Sequence, residues 1–594
     1  MAESYFLLAA IFIPLLLAPL AYVIGRKRGA RLATWFSFAA LAVSTGLLLI
    51  PAIGIYTGQQ TVYVEQYPWG QFGDFGLRLD GLSLPFALII YILCTVIAVY
   101  SRPYMVHKVS EELPGHGNVE GGGVGGGGMG HGSTNPSGHS PHALPGKNVE
   151  SSSQATVFDT QQYVNSQIGL YFALYLTFSM GMLGTVLATN LIQFYVFFEL
   201  MLVPSFFLVA FYGYGARRRI ALMFFFWTHV GAVVLLLGLL AMGFFAGGFD
   251  FDTIKANAGN IPTQWLPLIV FALVIGLGVK LAAFLLHIWL PYAHAEAPTP
   301  ISALLSPAMI GIGAYGLLRL WMELLTGSYE QYSLYINMWG LATMIYGGAM
   351  ALMQDDIKKV LAYSSISQMG YILFGLSSES ILGITGGTMM YVTHGLGKAI
   401  LFMMAGSIIL QTGTRSMSKL GGLAGKMPYT AVLAMIGALT IIGIPPTSGF
   451  MAEWILFNGV LQTATAAMDP LRTIMFALGI LATVLSSAYI LWMYKRIFFG
   501  KIPEHLAHVK DSNRYITVTM AVFAAMTLII GVYPDLFLNP IMDYYNNNMF
   551  QGQEGILLAP SHESGTATES GIASENMDTG QNTVGGEATA SEGR

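Results

Sequence analysis

Lys280 lies inside an apolar run, Trp265 to Leu286, that is long enough to cross a bilayer. A charge at that depth costs about 2.5–3.5 kcal/mol even on the lenient insertion scale, so it is kept only where it is paired and used. Seven residues on, two turns along the same face of a continuous helix, stands His287. Trp289-Leu290-Pro291 and Ala297-Pro298-Thr299-Pro300 then predict a break, because proline lacks a backbone donor and clashes with the preceding turn. His294 falls between the two interruptions. Broken backbone at membrane depth survives only where protein or a wet cavity satisfies it. A buried lysine, nearby histidines and a broken helix read together as part of an ion path.

The rest of the chain fixes the class. Of 594 residues, 54% are hydrophobic and 10% charged, against about 25% charged in a soluble domain. This predicts an all-α polytopic membrane protein with about fourteen transmembrane helices at roughly 20 residues each. The net charge of -4 is small for this length and gives no reason to expect a nucleic-acid partner. The single cysteine, Cys94, rules out a disulfide framework and an iron–sulfur cluster held by this chain alone. No dinucleotide-binding fingerprint is present either. Residues 5–24 precede the basic run RKRGAR and read as a retained first helix.

Lysine and arginine orient the spans. With the N-terminus outside, 20 of the 27 fall on the cytoplasmic side, five outside (Arg78, Lys255, Arg319, Arg472, Arg594) and two, Lys280 and Lys398, within spans. The positive-inside rule therefore places both termini on the extracytoplasmic face of a multi-pass plasma-membrane protein. The domains expected are helices 1–3 over 1–106, a Gly/His-rich flexible cytoplasmic loop over 107–165, a first repeat of helices 4–8 over 166–326, a second of helices 9–13 over 327–500, a last helix region over 501–545 and a disordered polar tail over 546–594. The loop histidines His107, His116, His131, His139 and His142 have no regular ligand spacing, and no metal site is expected.

Five further groups within the spans join Lys280. Glu199 stands among aromatics in span 5 and reads as the ion-pair partner of Lys280. His229 in span 6 divides evenly between a helix–helix hydrogen bond and a relay role. His394 and Lys398 in span 11 are four apart on one helix face, and Lys398 is too central to snorkel. Span 12 is interrupted at Gly443, Pro445, Pro446 and Gly449, and Glu453 follows. Two broken helices, 7 and 12, at corresponding places are the signature of two inverted five-helix repeats with the ion site at their interface.

The phrases FYVFFELMLVP, HIWLPYAHAEAPTPISALL, GAYGLLR, QDDIKKVLAYSSISQMGYILFG, THGLGKAILF and GIPPTSGFMAEW resemble the antiporter-like membrane subunits of proton-pumping NADH:quinone oxidoreductase (respiratory complex I), the subunit M or subunit 4 type, which are related to Mrp antiporter subunits. The resemblance runs from about residue 75 to 534. It implies a proton-translocating subunit of a complex I-type enzyme, with Glu199 and Lys280 as the charge pair of an input half-channel and Glu453 as the end of an output half-channel. It also implies partners among other membrane subunits, the L and N types and small membrane subunits. Quinone, iron–sulfur clusters and a reduced electron donor would be handled by other subunits, with no cofactor in this chain.

Three positions depart from the pattern. Gly311 stands where the subunit M type has a span-8 lysine, Met223 where a span-6 lysine is common, and Gln368 where a histidine is usual. Our hypothesis is that Lys398 with His394 takes over the central relay position lost at Gly311. A cation/proton antiporter or membrane-bound hydrogenase subunit, and a non-pumping scaffold, are the competing readings.

Overall fold

The computed structural model describes residues 5–70, 73–112 and 149–549, with side chains of the fourth helix described from residue 160 onward. The first elements are α1 (Phe6–Arg28), α2 (Ala30–Tyr56), a hairpin of β1 (Val62–Pro68) and β2 (Asp74–Asp80), and α3 (Ser83–Glu111). Then follow α4 (Val149–Leu187), α5 (Leu191–Tyr212), α6 (Arg217–Ala246), the short α7 (Phe251–Asn257), α8 (Leu266–Leu281), α9 (Trp289–Glu296), α10 (Thr299–Leu304) and α11 (Ile312–Gly316). Wide π-turns at 305–309 and 317–323 complete the segment that holds α10 and α11. The remainder is α12 (Thr326–Leu352), α13 (Ile357–Leu376), α14 (Ile381–Thr412), α15 (Pro428–Ile442), α16 (Ser448–Ala466), α17 (Pro470–Phe498), α18 (Arg514–Val532) and α19 (Asp535–Asn548).

Ten of these segments are long and apolar enough to cross a membrane, and the half-helices α8 and α15 are apolar but short. The expected spans 9 and 10 are helical as α12 and α13, but they fall outside the ten. In α13 the cause is visible: three serines and a glutamine stand between Ser364 and Gln368. The helices bordering the expected loop at 107–165 reach into it, α3 to Glu111 and α4 from Val149, and the rest of that loop lies outside the described residues. The polar tail expected at 546–594 begins inside α19, and from residue 550 onward it too lies outside them.

The hairpin was not anticipated. Glu65 on β1 explains its place: its buried carboxylate accepts the backbone N–H groups of Leu7 and Leu8, each at 2.9 Å, in the first turn of α1. A carboxylate there satisfies donors the helix cannot and meets the positive end of its dipole.

The chain breaks earlier than the prolines suggest. α8 ends at Leu281, and Ala282 (φ 58°) and Leu285 (φ 74°) adopt left-handed backbone. Three indoles satisfy the freed carbonyls: Trp289 Nε1 donates to Val279, Trp227 Nε1 to Leu286 and Trp339 Nε1 to Phe284, each at 2.9 Å. Pro291 sits inside α9, and Pro298 lies in the second interruption, between α9 and α10. The other break, between α15 and α16, falls where the sequence places it, with Gly443 (φ 77°) as its left-handed cap.

α14 runs through the middle. Every residue from Gly383 to Ile408 is buried, as a helix walled in on all sides must be. It packs against α3, α10, α13, α15, α16, α18 and α19. On the α16 side the backbones come so close that a Cβ on Gly459 would stand 1.9 Å from the amide nitrogen of Gly383. Small residues permit that approach inside a membrane.

Apart from the Glu199–His229 contact within the spans, the ion pairs between elements among the described residues join ends that strict alternation of the expected spans puts on one side. Glu112–Arg217 (2.7 Å), Arg415 with Glu296 (2.9 Å) and Asp356 (2.7 Å), and Arg496–Asp355 (2.7 Å) form one set. Arg78–Asp252 (2.7 Å), Arg319–Asp80 (2.7 Å) and Arg472–Glu379 (2.6 Å) form the other.

Arg319 is the most deeply set of these. Its guanidinium grips both oxygens of Asp80 at 2.7 and 2.8 Å, Glu323 at 2.7 Å and the Tyr544 hydroxyl at 2.6 Å. Burial alone would push the Asp80 carboxyl up, but the Arg319 guanidinium and the Ser83 amide outweigh it and hold the group below the usual carboxylate range. A carboxyl held low in the folded chain contributes stability that is complete above about pH 4 and fades as pH falls through the lower folded value. Asp80→Asn should therefore destabilise the chain by about 3–5 kcal/mol, the cost of stranding a buried partner charge. Thermal unfolding of the assembled protein reads this out, and an unchanged midpoint would show that the cluster does not hold the hairpin to the bundle.

Candidate functional site

Lys280 sits one residue before the end of α8 and is 2% exposed. Its ammonium lies 4.7 Å from the centre of the Phe198 ring and meets no hydrogen-bond partner among the described residues. Phe198 is the neighbour of Glu199 on α5. The direct Glu199–Lys280 ion pair is not formed. Glu199 instead meets His229 of α6, Oε2 to Nδ1 at 3.1 Å, and its Oε1 is buried without a partner. The carboxylate still lies within electrostatic reach of the lysine. The histidine stacks on Phe225 at 5.6 Å and is half-exposed. Glu199 therefore stands between a partly open histidine and an enclosed lysine, two possible destinations for its charge.

His287 does not share a face with Lys280, because the helix ends between them. It lies in the break, and its Nε2 is 3.0 Å from the Tyr346 hydroxyl of α12. His294, on α9, stacks on Phe402 of α14 at 5.7 Å, and neither of its ring nitrogens has a partner among the described residues. It lies within electrostatic reach of Lys358 and Lys398. His394 is likewise fully buried with both ring nitrogens unpartnered. Buried polar groups are nearly always partnered, so such a run of orphans needs a functional account.

Lys398 reaches from α14 to α13, where its ammonium donates to the Leu361 carbonyl at 3.1 Å and to the Ser364 hydroxyl. Lys358, at the start of α13, donates to the Ala297 carbonyl that the interruption between α9 and α10 leaves free. Nothing in the sequence singles out Lys358, which reads as a flanking cytoplasmic charge. Only the fold shows it fully buried.

Glu453 stands in the second turn of α16, after the break. A Cβ on Gly443 would stand 2.4 Å from its Oε2, so glycine is what lets the carboxylate fold back onto the cap. A cavity of about 410 Å³, walled by Phe450, Trp454, Phe457, Phe476 and Thr483 among others, opens onto the carboxylate. Trp454 on that wall is exposed.

The structure thus gathers His294, His394 and Lys398 around α14. It sets Glu199, His229 and Lys280 together in the first repeat, and it places Glu453 at the second break. His287 stands apart from these groups. The gap left by Gly311 is filled: a Cβ there would stand 2.1 Å from the ring of Tyr391, which also stacks on Phe86 at 4.3 Å. Tyr391 lies one turn before His394 on α14.

Comparison with known proteins bears on the family and the fold. Residues 188–486 match the family described as "NADH:quinone oxidoreductase/Mrp antiporter, TM", and residues 69–111 match "NADH-Ubiquinone oxidoreductase (complex I), chain 5 N-terminus". The chain is 35% identical over 387 residues to F(420)H(2) dehydrogenase subunit M of Methanosarcina mazei, covering 64% of this chain and 75% of that protein. It is 33% identical over 385 residues to NADH-quinone oxidoreductase subunit M of Rickettsia typhi, covering 65% and 76%. Its fold is similar to a chain of respiratory complex I from Thermus thermophilus, with a TM-score of 0.71 and 22% identity over 91% of this chain and 99% of that one.

Because the Tyr391 ring occupies the space beside Gly311, Gly311→Lys should unfold or fail to assemble, while Gly311→Lys combined with Tyr391→Ala should recover. Assembly and thermal stability measure this. A single Gly311→Lys variant as stable as wild type would show that the ring does not fill the site.

Proposed function

We propose, from the premise that this chain belongs to the NADH:quinone oxidoreductase/Mrp antiporter family of membrane subunits, that it is the proton-translocating membrane subunit of a complex I-type quinone oxidoreductase, driven by electron transfer in partner subunits. The observation that carries the reading is the set of enclosed titratable groups beside two broken helices: Lys280, His294, His394, Lys398 and Glu453. Each is expensive in hydrocarbon and retained only where it works.

In the first repeat, Glu199 and Lys280 form the coupling pair, with His229 as the alternative partner of the carboxylate. While Glu199 faces the lysine, the ammonium is stabilised; when Glu199 turns to His229, the lysine loses that support and gives up its proton. Moving one charge across 100 mV is worth about 2.3 kcal/mol, and a change of two pKa units supplies about that much. In the second repeat, Lys398 and His394 take the central position and Glu453 discharges the proton through its cavity. His294 joins the two halves, and His287 tunes the first break through Tyr346. Water between the nitrogens of His294 and His394 completes the line, as buried water does for polar groups that protein leaves without a partner.

The relatives are named for two different donors, F(420)H(2) and NADH, so the donor is a property of the partner subunits. Quinone and iron–sulfur chemistry belong to those subunits as well, and this chain carries no redox group. We place it in the plasma membrane with both termini extracytoplasmic, against L- and N-type and small membrane subunits.

Lys280→Ala in inverted vesicles of the native host tests the reading. Assembly and donor:quinone electron transfer should persist in uncoupled membranes, while proton pumping falls. Undiminished pumping would favour a scaffold role, and sodium-stimulated exchange without any electron donor would favour a cation/proton antiporter.

A further inference from the structure

Between Ser364, which Lys398 meets, and Tyr371, α13 carries no histidine, lysine or carboxylate to take a proton on to Glu453. α13 spans the interval with Ser364, Gln368 and Tyr371, spaced by four and three residues and so along one face. Gln368 stands where a protonatable residue would be most useful, and an amide does not exchange its protons by titration. It donates instead to the Ile441 carbonyl at 3.3 Å, at the end of α15.

Hydroxyl groups stand beside it. The Tyr489 hydroxyl on α17 lies next to Ser367 and Gln368 and donates to Ser486 Oγ at 3.2 Å. Ser486 Oγ lies 3.0 Å from the Tyr371 hydroxyl. A serine hydroxyl can accept from Tyr489 and give its own proton to Tyr371 at the same time, and in that arrangement the Tyr371 hydroxyl proton is free to point onward. All three side chains are fully buried. Both tyrosines lie within electrostatic reach of the Glu453 carboxylate, and the Tyr371 ring packs 6.2 Å from Phe457, on the wall of the Glu453 cavity.

We infer that Tyr489, Ser486 and Tyr371 form the final proton relay onto Glu453, an inference that rests on the proton-translocating reading of the chain. One proton arrives at the Tyr489 oxygen from the Lys398 side. Each hydroxyl accepts one proton and releases its own, and one is delivered to the carboxylate of Glu453. Every hydroxyl is restored, its hydrogen bond now turned the other way, and no other group changes.

The test uses the assembled complex in vesicles of the native host. Tyr371→Phe and Ser486→Ala should each slow proton pumping by about tenfold or more, while electron transfer persists in uncoupled membranes. Ser486→Thr, which keeps the hydroxyl, should restore most of the pumping that Ser486→Ala loses. Tyr371→Phe removes one oxygen and keeps the ring packing, so a loss of thermal stability without a loss of pumping in the surviving complex overturns the relay. If Tyr371→Phe and Ser486→Ala pump as wild type while Glu453→Gln does not, the hydroxyl route is wrong and the broader reading stands. If Glu453→Gln also pumps as wild type, the broader reading falls with it.

Discussion

Hydrocarbon offers no partner to a backbone amide or to a charge, so every break and every ionisable group within the spans must be satisfied from inside the protein. That constraint shapes this bundle. At the first break, three tryptophans from α6, α9 and α12 donate to the carbonyls that the interrupted helix sets free. At the second, Gln368 and Thr447 take over the same task. These crosslinks pull neighbouring helices toward the interruptions and bring the polar groups of both repeats near α14. Because α14 is walled in along 26 consecutive residues, its His394 and Lys398 depend on other helices for every polar contact.

Much of this was legible in the sequence. Charged residues within apolar runs announce themselves because bilayer burial is so costly, and Lys280, Lys398, Glu199 and Glu453 were found on that ground. The second break was readable from Pro445 and Pro446. The alternation of spans is an expectation from the distribution of lysine and arginine, and the ion pairs at the helix ends join segments that this expectation puts on one side.

What escaped reading depends on contacts between distant segments. The break after Leu281 lies at Ala282 and Leu285, residues without turn chemistry, and is held by tryptophans as far as 59 positions away in the chain. That shift separates His287 from Lys280. Partner choice is equally long-range: opposite charges suggested Glu199 for Lys280, but the fold gives the carboxylate His229 on the adjacent helix. Lys358 looked like a flanking charge, and its burial comes from the Ala297 carbonyl and the ring of Tyr214. The hairpin has a short, mixed pattern that gave no strand signal against fourteen long apolar runs.

The account stands on the claim that buried charge around α14 carries protons. Lys398 is its most exposed point, since it reads as the replacement for a lysine lost at Gly311. The direct measurement is the number of protons translocated per electron by a Lys398→Ala complex, at matched electron-transfer rates and with assembly verified. The account predicts a lower ratio than wild type. An unchanged ratio in an assembled, electron-transferring complex would contradict it.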